Sequence, residues 1–145
     1  MTTLTPWRTI LVLALGAVAP YLWVESLFLW SLNVYTPLLK WLWATFDIRG
    51  EWIPVASGVI HSVIVAAVFA LALRFIAQRE WLVASAIFCL VFLFAFFIPG
   101  LFESDRSLSD LLALFAFSLA SVLMLLACVV VLFALLSRFP RSHGA

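Results

Sequence analysis

Charged residues are scarce in this chain. Eight Lys or Arg and seven Asp or Glu make up 10% of its 145 residues, while hydrophobic residues make up 67%. An ordinary soluble domain is about half apolar and about a quarter charged. The shortage of charge therefore excludes water as the main solvent of this polypeptide.

Cysteine and histidine, the usual metal ligands, are also scarce. Cys89 and Cys128 form no CxxC motif, and of the two histidines only His61 falls in an apolar run. A haem held between helices generally needs two axial ligands, and a zinc site or a Ser-His-Asp triad needs residues that are missing here. The sequence predicts no metal, no cofactor and no enzymatic activity.

Long apolar runs are what the chain does contain. Residues 53–73, 81–102 and 111–136 include no Asp, Glu, Lys or Arg, and each reaches the roughly 20 residues that a helix needs to cross a bilayer. A fourth run, 9–33, is interrupted by Pro20, where we expect a bend, and by Glu25. We predict an all-α integral membrane protein, with four transmembrane helices at about 9–33, 53–74, 81–102 and 108–137 in an antiparallel up-down bundle. The whole chain, 1–145, forms one membrane domain.

The connectors predict how these helices are joined. A residue before proline is disfavoured in helical geometry, so Pro37 predicts that the first helix ends near Asn33. The aromatic segment 38–46 is too short to span and is predicted to be a separate helix lying on the outer membrane surface. The turn at 74–80 is short, which predicts that the second and third helices are antiparallel neighbours.

The charges divide unevenly between the two sides of the predicted bundle. One side holds five positive charges and one negative: Arg8, Arg74, Arg79, Arg138, Arg141 and Glu80. The other holds three positive and five negative: Lys40, Arg49, Arg106, Asp47, Glu51, Glu103, Asp105 and Asp110. Because the side richer in Lys and Arg stays in the cytoplasm, both termini are predicted to be cytoplasmic. Compactness and the preference for Arg over Lys indicate a bacterial inner membrane.

Two further patterns concern packing and the membrane boundary. Small residues four apart form a ladder on one face of the second helix: Gly58, Ser62, Ala66 and Ala70. Such a face supports close helix contact, either inside the bundle, which we favour, or with another protein. Tryptophans near the ends of the runs are predicted interface anchors: Trp7, Trp30, Trp41, Trp43, Trp52 and Trp81.

Two ionisable residues, Glu25 and His61, fall inside predicted spans at matching depth. An intramembrane carboxylate usually finds a partner or stays protonated, and His61 is the predicted partner of Glu25. Tyr21 and Ser57 each lie one helical turn from this pair and are predicted to join it. The pair is either a structural hydrogen bond, which we favour, or a proton relay.

The leading functional hypothesis is a non-enzymatic accessory, assembly or protective partner of another membrane component. In size and helix number the chain is similar to the polytopic immunity proteins that protect against pore-forming bacteriocins. The alternative is a proton-coupled small-solute transporter using Glu25 and His61. A glutamate in the first of four helices is similar to small multidrug-resistance transporters, although the long aromatic first connector departs from that family. Expected partners are the lipid bilayer and another membrane protein or a second copy, without nucleic acid.

Overall fold

The fold is all-helical. The computed structural model describes residues 4–46, 52–77, 79–101 and 108–138. Its elements are α1 (Pro6–Trp30), a π-helical segment (Ser31–Tyr35), α2 (Thr36–Phe46), α3 (Trp52–Ala77), α4 (Trp81–Leu101) and α5 (Leu108–Arg138). The acidic connector at 103–107 and the turn at 47–51 lie outside the described residues.

Four of these helices are long and apolar enough to cross a membrane, as the apolar runs predicted. They are Pro6–Phe46, Ile53–Ala77, Trp81–Ile98 and Leu119–Arg138. Pro6 stands in the first turn of α1, where its missing N–H breaks no hydrogen bond. Pro20 lies inside the same helix and is buried. The length and composition of the described helices thus fit a multi-pass membrane protein.

The predicted helix end near Asn33 is wrong. The helix runs without a break from Pro6 to Phe46, 41 residues, and segment 38–46 is its continuation rather than a separate helix. The residue before Pro37, Thr36, keeps helical angles of φ −63° and ψ −47°, and its N–H donates to the carbonyl of Ser31 in a π turn. The Thr36 hydroxyl donates to the same carbonyl at 2.7 Å. A π turn re-pairs backbone groups that proline would leave unsatisfied, so the helix passes Pro37.

The most extensive contacts between helices are those of α1 with α4 and of α3 with α5. Arg8 pairs with Glu80 near one end of α1, and Trp23 meets Phe96 further along, so α1 and α4 run in the same direction. The predicted neighbours α3 and α4 do touch, with the Phe69 and Phe88 rings 5.7 Å apart, but each packs more extensively against another helix. A short connector fixes which helix ends are close, and side-chain shape decides which faces meet.

Gly16 lies at a close contact between α1 and α4. A Cβ placed on Gly16 would lie 3.0 Å from Cβ of Val91 and 3.2 Å from the carbonyl oxygen of Phe88. These distances are shorter than ordinary van der Waals contacts. The absence of a side chain at Gly16 therefore sets how near the two backbones come.

The small-residue ladder on α3 is mostly enclosed by the bundle. Ser62, Ala66 and Ala70 are buried, and the two alanines belong to the same apolar core as Phe88, Phe92 and other buried residues. At Gly58, by contrast, an added Cβ would meet nothing within 4 Å. Three of the four ladder positions therefore serve packing within this chain, and Gly58 leaves open space.

Candidate functional site: a polar cluster between α1 and α3

A polar contact joins the end of α1 to α3. The indole Nε1 of Trp30 donates to Oγ of Ser57 at 2.9 Å. Ser57 is buried and Trp30 is half-buried. Trp30 was predicted to anchor the membrane boundary, but its N–H instead points into the bundle and satisfies a buried hydroxyl.

A second contact lies one helical turn deeper on both helices. Nε2 of His61 is 3.0 Å from Oγ of Ser26, and the Ser26 hydroxyl donates to the carbonyl of Trp23 at 2.9 Å. Which of Ser26 and His61 donates in this contact depends on the tautomer of the imidazole. The pairs Trp30–Ser57 and Ser26–His61 advance in opposite directions along the two helices, so α1 and α3 are antiparallel.

The four side chains form one unit, which we call the α1–α3 polar cluster: Ser26, Trp30, Ser57 and His61. The ring centroids of Trp30 and His61 are 5.7 Å apart in a tilted arrangement. His61 is only 2% exposed, and its Nδ1 has no hydrogen-bond partner among the described residues. The cluster therefore contains one buried ring nitrogen without a hydrogen-bond partner among the described residues.

Glu25 does not belong to this cluster, and its predicted pairing with His61 is wrong. Its side chain is exposed, while the neighbouring Ser26 takes the contact with His61. Tyr21, one turn before Glu25, is 64% exposed. Glu25 lies at a depth that would allow a contact with His61. Because consecutive helical residues point about 100° apart, the direction of Glu25 on α1 does not allow that contact.

The cluster fixes where Glu25 lies along the bundle. Trp30 and Ser57 are level with each other, and Trp52 begins α3 five residues before Ser57. At 1.5 Å per residue, Glu25 is about 15 Å from the level of Trp52 and about 25 Å from that of Arg8. Glu25 therefore lies well inside the length of the bundle.

The other predicted anchors lie in varied surroundings. Trp7, Trp41 and Trp43 are more than half exposed, while Trp81 packs against the core. The side chain of Trp52 lies outside the described residues. Exposed tryptophans near the ends of helices suit the bilayer boundary, and their placement there stays a prediction.

Ser26 was not predicted as a site residue and Trp30 was predicted only as an interface anchor, although the sequence carries a signal for their place in the cluster. Ser26 and Trp30 are four residues apart, as are Ser57 and His61, so each pair occupies one helix face. Two such polar pairs on consecutive antiparallel helices match when the helices face each other. A search for paired polar residues, rather than for ionisable residues alone, would have found them.

The cluster provides hydrogen-bond donors and acceptors, among them Oγ of Ser26 at 3.0 Å from Nε2 of His61. The described residues include no group of three or more His, Cys, Asp or Glu side chains that could hold a metal ion. Comparison with protein-family models, with curated proteins and with solved structures finds no match to this chain. The geometry of the molecule is therefore the basis for its functional assignment.

Proposed function

We propose that this chain is a four-helix, up-down integral membrane protein that acts without enzymatic chemistry as an accessory, assembly or protective partner of another membrane component. The observation that carries the proposal is the exposed carboxylate of Glu25 in the middle of an apolar helix. In lipid, an outward-facing carboxyl group is either protonated or covered by a partner. Cover by a partner protein allows Glu25 to stay ionised.

Position along the bundle makes the exposure of Glu25 costly. The levels of Arg8 and Trp52 are about 40 Å apart, which matches a bilayer with its headgroups. On that scale Glu25 lies about 10 Å inside the outer edge of the hydrocarbon. By insertion measurements, an acidic residue at the centre of a membrane helix is unfavourable by roughly 2.5–3.5 kcal/mol. Cover by a protein removes this cost.

The surroundings of Glu25 do not supply that cover from the chain itself. Tyr21, Leu22, Phe28 and Leu29 are all exposed and offer mainly apolar surface. The described part of the chain places no hydrogen-bond partner on the Glu25 carboxylate. The face of α1 around Glu25 is the best candidate for the partner surface.

Orientation follows from the charged ends. We infer that the end holding Arg8 and Glu80 is cytoplasmic, together with both termini, and that the membrane is a bacterial inner membrane. The contact of Arg8 with Glu80 at 3.3 Å supports placing these two residues on one side. α2 then extends beyond the outer hydrocarbon edge, and at 1.5 Å per residue its exposed Trp41 and Trp43 lie about 14–17 Å past that edge.

Affinity isolation from the native membrane tests the proposed function. In mild detergent, the tagged protein should bring down another membrane protein in near-stoichiometric amount. The same preparation made after solubilisation in a harsh detergent serves as the control for specific association. The proposal is contradicted if the protein is isolated alone and, in liposomes, moves protons or a solute in a way that His61→Ala abolishes.

A further inference from the structure

We propose that Glu25 pairs with a basic side chain, Lys, Arg or His, on a membrane-spanning helix of a different protein. This inference rests on the proposed partner function and specifies the chemistry of the partner. The docking surface is the exposed face of α1 from about residue 14 to residue 28, with Glu25 near its outer end.

A partner helix that covers this face must carry a cation, because the face is apolar apart from one carboxylate. The exposed residues next to Glu25 are Tyr21 and Phe28, one turn below and above it. A helix packed here removes lipid and water from the carboxylate, so the ionised form needs a charged hydrogen-bond donor at the same level. An apolar partner helix would leave a buried charge unpaired, which is the least stable arrangement.

A second copy of this chain does not supply the cation, since its His61 is 2% exposed and contacts its own Ser26, and its Lys and Arg lie at other levels. No Lys or Arg occurs between Arg8 and Lys40, which lie about 25 Å and 22 Å along the helix from Glu25. Copies inserted with the same orientation and joined through this face would place Glu25 opposite Glu25. Like charges disfavour that contact, so charge complementarity indicates a different protein.

The shape of α1 below Glu25 fits a helix. Ala14 and Ala17 are exposed two to three turns before Glu25 on the described surface, and small side chains let helix backbones approach closely in lipid. A partner helix that packs closely there lies alongside α1 and also passes Glu25. The carboxylate then fixes the register of the partner along α1.

Photo-cross-linking in the native membrane identifies what covers this face. A benzophenone side chain at Phe28, 61% exposed and one turn from Glu25, should form an adduct with a partner protein. The matched control is the same group at Phe94, 63% exposed on α4. Mass spectrometry of the Phe28 adduct should place the cross-link within about one helical turn of a Lys, Arg or His in a spanning segment.

Charge variants then test the pairing. Glu25→Gln should lower the adduct yield on the order of tenfold or more, and Glu25→Asp should retain most of it. Glu25→Lys should abolish the adduct, and exchanging the partner's basic residue for Glu should restore it. Circular dichroism and detergent gel filtration verify that each variant folds.

The possible failures have different meanings. A captured partner whose segment carries no basic residue, with an adduct that Glu25→Gln leaves unchanged, overturns the inference and leaves the proposed function standing. An adduct only with a second copy of this chain also overturns the inference. Equal, partner-free labelling of lipid at Phe28 and Phe94 overturns both.

Discussion

At the scale of single residues, the α1–α3 polar cluster pairs polar side chains that would be unfavourable in lipid, and these pairs join two helices. A Trp N–H and a Ser hydroxyl exposed to hydrocarbon would each lack a partner. In the structure Trp30 donates to Ser57, and His61 and Ser26 form a hydrogen bond at 3.0 Å. Hydrogen bonds between membrane helices contribute about 0.6 kcal/mol on average and at most about 2 kcal/mol. The cluster therefore sets helix register and adds only modestly to stability.

The Trp30–Ser57 contact predicts a measurable coupling. Trp30→Phe and Ser57→Ala should each destabilise the protein, and the double variant should be about 0.6 kcal/mol more stable than the sum predicts, because the bond is lost only once. The measurement is unfolding in mixed micelles, followed by circular dichroism. The control combines Ser57→Ala with Trp81→Phe, at the start of another helix, which should be additive. Additive Trp30 and Ser57 effects would show that the hydrogen bond contributes nothing.

Glu25 and Ser26 show which part of the site could be read from the sequence. Helical rise is the same for every residue, so the shared depth of α1 and α3 positions was predictable from residue numbers. Rotation about the helix axis depends on how the whole helix packs. Ser26, one residue from Glu25, therefore faces His61 while Glu25 faces outward, and only the packed structure distinguishes them.

At the scale of elements, α1 and α4 are held close because Gly16 has no side chain. Gly16→Val should destabilise the bundle by about 1–3 kcal/mol, since the new methyl groups overlap Val91 and the Phe88 carbonyl. Gly16→Ala should have a smaller effect in the same direction. Ala17→Val, exposed on the same helix, is the matched control and should change stability by less than about 0.5 kcal/mol. Unfolding in mixed micelles again gives the values, and equal effects at 16 and 17 would contradict a close α1–α4 contact.

The four helices were predictable because composition and length are sufficient to identify an apolar span. The end of the first helix was not, because the rule for residues before proline describes an average and the π turn at Ser31–Tyr35 removes its cause. Helix partners were only partly predictable. Connector length indicated α3 beside α4, while the tight contact at Gly16 depends on shapes that meet across distant parts of the sequence.

At the scale of the whole molecule, the proposed orientation has a direct test. Reporter fusions at the amino terminus, in the turn near Arg79 and at the carboxyl terminus should all report the cytoplasm, because the Lys and Arg excess lies on that side. A fusion within 103–106 should report the outer compartment. Exchanging Arg74 and Arg79 for Glu should weaken this bias. Opposite locations for the turn and the carboxyl terminus would contradict the even number of crossings.

The pairing of α1 with α4 also bears on biosynthesis. A ribosome delivers the helices in order, so α1 and α3 are complete before the helices that cover them most extensively have been made. At that stage the hydrogen bonds of Trp30 and His61 join α1 to α3 and fix the register of this nascent hairpin. α4 must then pack beside α1, and α5 beside α3, so the fold is complete only when synthesis is nearly over.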